Sequence, residues 1–302
     1  MDLGISGKVA MVAAASKGIG LAVATALAKE GCRVSICSRD AAALEAARRK
    51  ILAEAPGAEV RIFPCDVMSG EDLEAWHRSV AAEMGPVDIL VTNTGGPPAA
   101  NFLDLTEEQW RRGIDLTLMN VVRLCRLVLP RMRERRWGRI VHLTSLAAKQ
   151  PIALLTISST LRAGLSALTK TMSNEFARDG VLVNALLPGH VLTDRQIELN
   201  EIRSKQEGIS IEDYASRVQG TIPIGRYGQP RGDRRGRGLP RERPRQLRDR
   251  RDNPGGWRPD PRNLLVSCAC HPDVGRLSSQ AERGICSRNL RAQIPRCFAS
   301  SG

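Results

Sequence analysis

The feature that most constrains this chain is an apolar run that ends in a glycine turn and continues as a helix. Residues 9–13 read as a short buried strand, and residues 14–17 must turn. Gly18 and Gly20 then open an apolar helix that runs to Glu30 and stops at Gly31. Such a turn suits a ligand that carries phosphate. Glycine lets the ligand approach the backbone, and the helix N-terminus offers free N–H groups and the positive end of a dipole. A Gly-x-Gly pair alone also fits a tight turn with no ligand. The coincidence of strand, glycine pair and apolar helix favours binding.

The same unit recurs along the chain. Residues 33–38, 59–65, 88–93, 138–145 and 181–187 read as further strands, each a nearly continuous apolar run. Between them lie helical patterns. Asp40 caps one with Leu44, Ala47 and Ile51 on a face, and Ser69 with Asp72 starts another carrying Leu73, Trp76 and Val80. Thr106 and Gln109 form a capping box before a single long helix to about residue 134, and a further helix spans about 158–177. Gly95-Gly96-Pro97-Pro98 can only be a loop. The alternation predicts an α/β fold, a doubly wound parallel sheet of Rossmann type with helices on both faces in a single domain over residues 1–230. Ligands of such sheets bind beyond the carboxyl ends of the strands, where Ser16, Asp66, Asn93, Ser145 and Pro188-Gly189 all fall.

Charge decides between two classes of partner. The net charge of +13 suggests nucleic acid, yet residues 231–302 hold 17 arginines against 7 acids while residues 1–230 hold 28 basic against 25 acidic residues. The basic character belongs to the tail, whose aromatic residues are only Trp257 and Phe298, so no stacking platform is evident and nucleic acid is disfavoured. No apolar run is long enough to span a membrane, and the first residues lack the layout of a signal peptide, so a cytoplasmic protein without a membrane partner is expected. Cys32, Cys37, Cys65 and Cys125 sit in apolar segments and read as buried thiols. Cys268 and Cys270 make a poor zinc half-site without a partner pair, so no metal is expected.

Several motifs in order carry a resemblance. Ala15-Ser16-Lys17-Gly18-Ile19-Gly20, Cys65-Asp66-Val67, Asn93-Thr94-Gly95-Gly96, Gly138-Arg139-Ile140-Val141, Thr144-Ser145 and Leu187-Pro188-Gly189 resemble the short-chain dehydrogenase/reductase family, in particular its 3-oxoacyl carrier-protein reductases. The resemblance covers residues 5–230. It implies a nicotinamide cofactor, hydride exchange with a small carbonyl or alcohol substrate, and a homo-dimer or tetramer. The residues implied to hold cofactor are Ser16, Lys17, Gly18, Ile19, Gly20, Arg39, Asp66, Val67, Asn93, Gly95, Arg162, Pro188, Gly189 and Thr193. Lys17 in the turn and Arg39 just after the second strand suit a 2′-phosphate, so NADP(H) is expected; two merely solvated cations would be the plainer account.

The family's proton relay is a serine, a tyrosine, a lysine four residues on, and an asparagine on the preceding long helix. Here Ser145 matches, while Ser158, Arg162 and Thr117 occupy the other three positions. A phenol of pKa about 10 can be lowered toward neutrality by a nearby ammonium, whereas a serine hydroxyl is a far weaker acid. Arg162 keeps its charge and donors. The two tyrosines, Tyr214 and Tyr227, lie in the segment expected to cover the substrate and are expected to pack there and not to catalyse; the substrate loop itself is placed around residues 193–220. His142 is expected to be a packed or solvent-facing histidine. Ala14 replaces the family's first glycine, which alanine tolerates if φ stays negative. The expected protein is an NADP(H)-dependent oxidoreductase with an atypical active site; the alternative is an inactive NADP-binding relative.

Residues 231–302 lack helical or strand periodicity. Back-translated with arginine as CGN and read one base later, residues 231–242 permit a good amphipathic helix, Glu-Glu-Ile-Ala-Ala-Val-Val-Ala-Phe-Leu-Ala-Ser. In the same frame residues 253–260 permit Thr-Leu-Val-Asp-Gly-Gly-Leu-Ile, which resembles the family's closing strand. The tail is therefore read as frame-shifted and disordered, with the fold's last helix and strand missing, aggregation invited at the open edge and assembly impaired.

Overall fold

A computed structural model describes residues 3–230; the expectations for the tail, and for Cys268 and Cys270, lie outside the described residues. Six strands alternate with helices: β1 Val9–Val12, α1 Gly18–Lys29, β2 Arg33–Ser38, α2 Ala41–Glu54, β3 Val60–Pro64, α3 Gly70–Glu83 and β4 Ile89–Thr92. Then come α4 Glu107–Ile114, α5 Asn120–Glu134, β5 Gly138–Leu143, α6 Thr156–Phe176, β6 Val181–Leu186, α7 Asp194–Glu207 and α8 Ile211–Thr221. The sheet is wholly parallel in the order β3-β2-β1-β4-β5-β6, so the strand order reverses between β1 and β4 and leaves a crevice above that junction. Among the described residues β6 pairs only with β5.

Alternate side chains of each strand feed two cores. Val12, Val34, Ile36, Val91 and Leu143 pack under α1 and α2. Met11, Leu90, Ile140 and Val183 pack under α3, α5 and α6. Both faces are covered, which is why the strands read as continuous apolar runs. The caps are those the residue types dictate. Asp40 accepts from Ala43 N–H, Ser69 from Asp72 N–H, and Thr106 and Gln109 close a reciprocal capping box. The four cysteines in this region are buried and unpaired. No described helix is long and apolar enough to cross a membrane.

Three details depart from the sequence reading. The single helix expected from Thr106 onward is divided by a π turn, Asp115–Met119, which carries Thr117. The segment around 193–220 is two capped helices and not a loop, since Thr193 and Ser210 each cap a run of helix formers. Ala14 has φ of +45°, so alanine occupies the left-handed conformation that glycine favours, and it does not keep φ negative.

Candidate active site

The carboxyl ends of β1, β4 and β5 open into a cleft of about 900 Å³. Its first wall is the turn between β1 and α1. Gly18 has φ of +60°, and a methyl group at Gly20 would lie 2.6 Å from the Ala14 carbonyl oxygen and 2.8 Å from Asn93 Nδ2. The turn therefore closes tightly on itself, and Asn93, just after β4, fixes it by donating Nδ2–H to Ala14 O at 3.0 Å. An apolar helix that begins in a glycine turn, with Gly18 and Ile19 lining the cleft at its N-terminus, fits a pyrophosphate. At the far end of the cleft Arg39 is exposed, with no hydrogen bond or ion pair among the described residues. Lys17 is not free in the same way. It pairs with Asp194 at 2.7 Å, but both side chains are more than 70% exposed, so the pair is weak and exchangeable.

Asp66 follows β3 and turns back to accept Met68 N–H at 3.0 Å, which holds it on the cleft wall beside Val67. Ser145 follows β5 and accepts Ala147 N–H at 3.1 Å, starting a short 3-10 turn. Ser158 and Arg162 stand one turn apart on α6, both buried. Arg162 donates Nε–H to Ser158 Oγ at 3.2 Å and Nη1 to the carbonyls of Leu143 at 3.2 Å and Thr144 at 2.8 Å. Burial, reinforced by the positive charge of Arg195, pushes Arg162 down to about 10. It remains a cation at neutral pH, inside the protein, without a carboxylate.

Most of the residues singled out by sequence meet here. Ser16, Lys17, Gly18, Ile19, Arg39, Asp66, Val67, Asn93, Gly95, Ser145, Ser158, Arg162, Pro188, Gly189 and Thr193 all line the one cleft. Gly20 and Thr117 do not. Gly20 supports the turn from behind, and Thr117 is fully buried in the π turn with its hydroxyl unpartnered. His142 is packed and not solvent-facing: burial pushes it down to about 4, and its Nδ1 meets Thr92 Oγ1 at 2.8 Å. Tyr214 and Tyr227 are buried under the covering helices, Tyr227 against Asn200 and Tyr214 against Arg203. Neither lines the cleft.

The sequence reading missed Arg112, Arg195 and Arg203, which also line it. Arg195 lies against Gly96, where a methyl group would come within 2.5 Å of its Nε, and donates to Pro97 O at 2.7 Å. The signal was the helical spacing of 195, 199 and 203.

Known proteins share this fold. A sequence model described as short chain dehydrogenase matches residues 8–204. A putative ketoacyl reductase of Streptomyces coelicolor is 37% identical over 225 residues, 74% of this chain and 85% of that protein. The L-sorbose reductase of Gluconobacter frateurii, solved with NADPH and L-sorbose, is 34% identical with a TM-score of 0.71, covering 76% of this chain and 88% of its own. A short chain oxidoreductase of Pseudomonas aeruginosa, solved with NADPH and described as containing an atypical catalytic center, is 31% identical with a TM-score of 0.66, covering 74% and 85%. With its parallel sheet, glycine turn and cleft at the switch of strand order, this chain belongs to the short-chain dehydrogenase family.

Proposed function

We propose that the chain is an NADP(H)-dependent oxidoreductase that interconverts a small carbonyl compound and its alcohol through a serine–arginine pair in place of a tyrosine–lysine pair. The observation that carries it is the contact between Arg162 and Ser158 at the wall of a cleft whose other end holds an unpaired cation, Arg39.

The cleft's residues divide the work. Gly18, Ile19 and the N-terminus of α1 would take the pyrophosphate, Arg39 with Lys17 the 2′-phosphate, and Asp66 with Val67 the base. When bound, the cofactor supplies or accepts a hydride. Ser145 and Ser158 would then meet the substrate oxygen. Ser158 Oγ accepts from Arg162, so its own proton is free to be donated toward the substrate. The buried guanidinium stabilises negative charge on Ser158 Oγ and on the oxygen beyond it, and low local polarity magnifies the effect. The NADPH-bound relatives, one with a catalytic center described as atypical, support this reading.

A second reading is a binding-only relative, favoured by the weaker acidity of serine. Oxidation of NADPH by a panel of ketones, aldehydes and oxo acids separates the two. Turnover supports the enzyme, and tight NADPH binding without turnover supports the alternative.

A further inference from the structure

The end of the cleft lined by Ser145 and Ser158 carries positive charge. Helix α7 turns Arg195, Leu199 and Arg203 into it at i, i+4 and i+8, one face of the helix. Arg195 holds one rim through Pro97 O at 2.7 Å, and Arg203 holds the other through Ala153 O at 2.6 Å. Arg112 on α4 adds a third guanidinium, exposed and with no partner among the described residues. Arg162 is the fourth, with 8% of its surface exposed and no carboxylate. Against these stand three acids. Glu108 is exposed, and Glu198, with 55% of its side chain exposed, pairs with Arg195 at 2.9 Å. The remaining nearby acid, Asp194, is held by Lys17.

Arg162 and Arg195 are close enough to repel, and the partners of Arg162 are a hydroxyl and two carbonyls, with no carboxylate among the described residues. That leaves a shortage of negative charge where a substrate must come, and a buried cation left so is costly. Arg203 Nε is also buried without a partner. Arg195 is the best-placed anchor. Pro97 O and Glu198 orient its planar fork, Gly96 makes room for it, and hydrogen-bond donors remain free. Glu198 is the exposed member of its pair with Arg195, so its carboxylate can be exchanged for another.

Resting on the oxidoreductase reading above, we propose that the substrate is a short 2- or 3-oxo acid, or the matching hydroxy acid, whose carboxylate is gripped by Arg195 while its carbonyl faces Ser145 and Ser158. The guanidinium fork matches a carboxylate in two parallel bonds. Leu199 gives the short alkyl part an apolar surface. The carboxylate is a handle and is unchanged. In reduction the carbonyl carbon gains a hydride, its oxygen gains a proton, and NADPH becomes NADP+.

The test compares acetoacetate and 2-oxobutanoate with their methyl esters, and with the neutral N-acetylcysteamine thioester of acetoacetate, on the full chain with NADPH. The acids should exceed the neutral compounds in kcat/KM by about 10- to 100-fold, the worth of a charged hydrogen-bonded pair. Arg195→Leu should abolish that preference mainly through KM, with NADPH titration unchanged to show an intact fold, and Arg195→Lys should retain part of it. Neutral compounds that match or exceed the acids in the unaltered protein, or a preference that survives Arg195→Leu, would overturn the proposal. A second readout separates it from the catalytic reading: the melting temperature of the NADP+ complex with acetoacetate or its ester added. A rise with the acid alone supports the anion site even where no carbonyl is reduced, and no rise with either overturns it.

Discussion

Arg162 Nε donates to Ser158 Oγ at 3.2 Å from one turn farther along the same helix, so the cation sits behind the hydroxyl and not beside it. In this geometry Arg162 lowers the cost of negative charge on Ser158 but cannot itself lose a proton near neutrality. Replacing the pair by Ser158→Tyr with Arg162→Lys supplies a far more acidic hydroxyl. Turnover on simple ketones should rise by about 10-fold or more, with Thr117→Asn added as a third change. Steady-state rates at saturating NADPH check this. An unchanged rate with cofactor still bound would show that loss of the phenol does not limit proton transfer.

Arg39 has no partner among the described residues and lines the cleft just beyond β2. NADPH should therefore bind more tightly than NADH, and Arg39→Asp should reverse the order by trading attraction to a 2′-phosphate for hydrogen bonds to a free ribose. Fluorescence titration of both cofactors decides it. Equal affinities in the unaltered protein would remove the assignment.

His142 is fully buried and pushed down to about 4 by that burial. Its folded value lies below its unfolded value near 6.5. As pH falls from about 6.5 to 4 the unfolded chain takes up a proton that the folded chain does not, and stability is lost. Above 6.5 the penalty is absent, and below 4 it is complete at about 3 kcal/mol. Asparagine at 142 can keep a hydrogen bond to Thr92 without the titration. Urea melts at pH 7 and pH 4 should show a smaller acid loss in His142→Asn than in the unaltered chain; equal losses would refute the account.

At φ of +45°, Ala14 holds a conformation that costs alanine more than glycine. Ala14→Gly should raise stability by about 1 kcal/mol without weakening NADPH binding. Gly20→Ala should do the reverse, losing about 1–3 kcal/mol because its methyl would lie 2.6 Å from Ala14 O. Thermal melts with and without cofactor compare the two; a neutral Gly20→Ala would mean that the turn is looser than it looks.

Legibility followed the range of the interaction that decides each feature. The capping box at Thr106 and Gln109 and the Asp40 cap depend on neighbours three residues apart, and both could be read directly, whereas the contact of Ser158 with Arg162 came only with the structure. The strand-end positions were legible because parallel strands gather their carboxyl ends. The π turn after Ile114 was not, because α4 packs through Gly113 onto Ile157, a contact made only when α6 is in place. Arg195 and Arg203 escaped notice because their segment was read as a loop, although their spacing on one helical face was present. The conformation of Ala14 is tied to a residue far away in sequence: its carbonyl accepts from Asn93, just after β4.

The most direct test of the central claim is NADPH oxidation across a panel of carbonyl compounds, with the unaltered chain and Ser158→Ala side by side and NADPH affinity measured for both. The account predicts turnover by the unaltered chain on at least one member of the panel. It predicts a loss of about 100-fold or more in kcat for Ser158→Ala, with NADPH binding retained. NADPH bound but no carbonyl reduced by the unaltered chain, or a Ser158→Ala variant that turns over as fast, would contradict it.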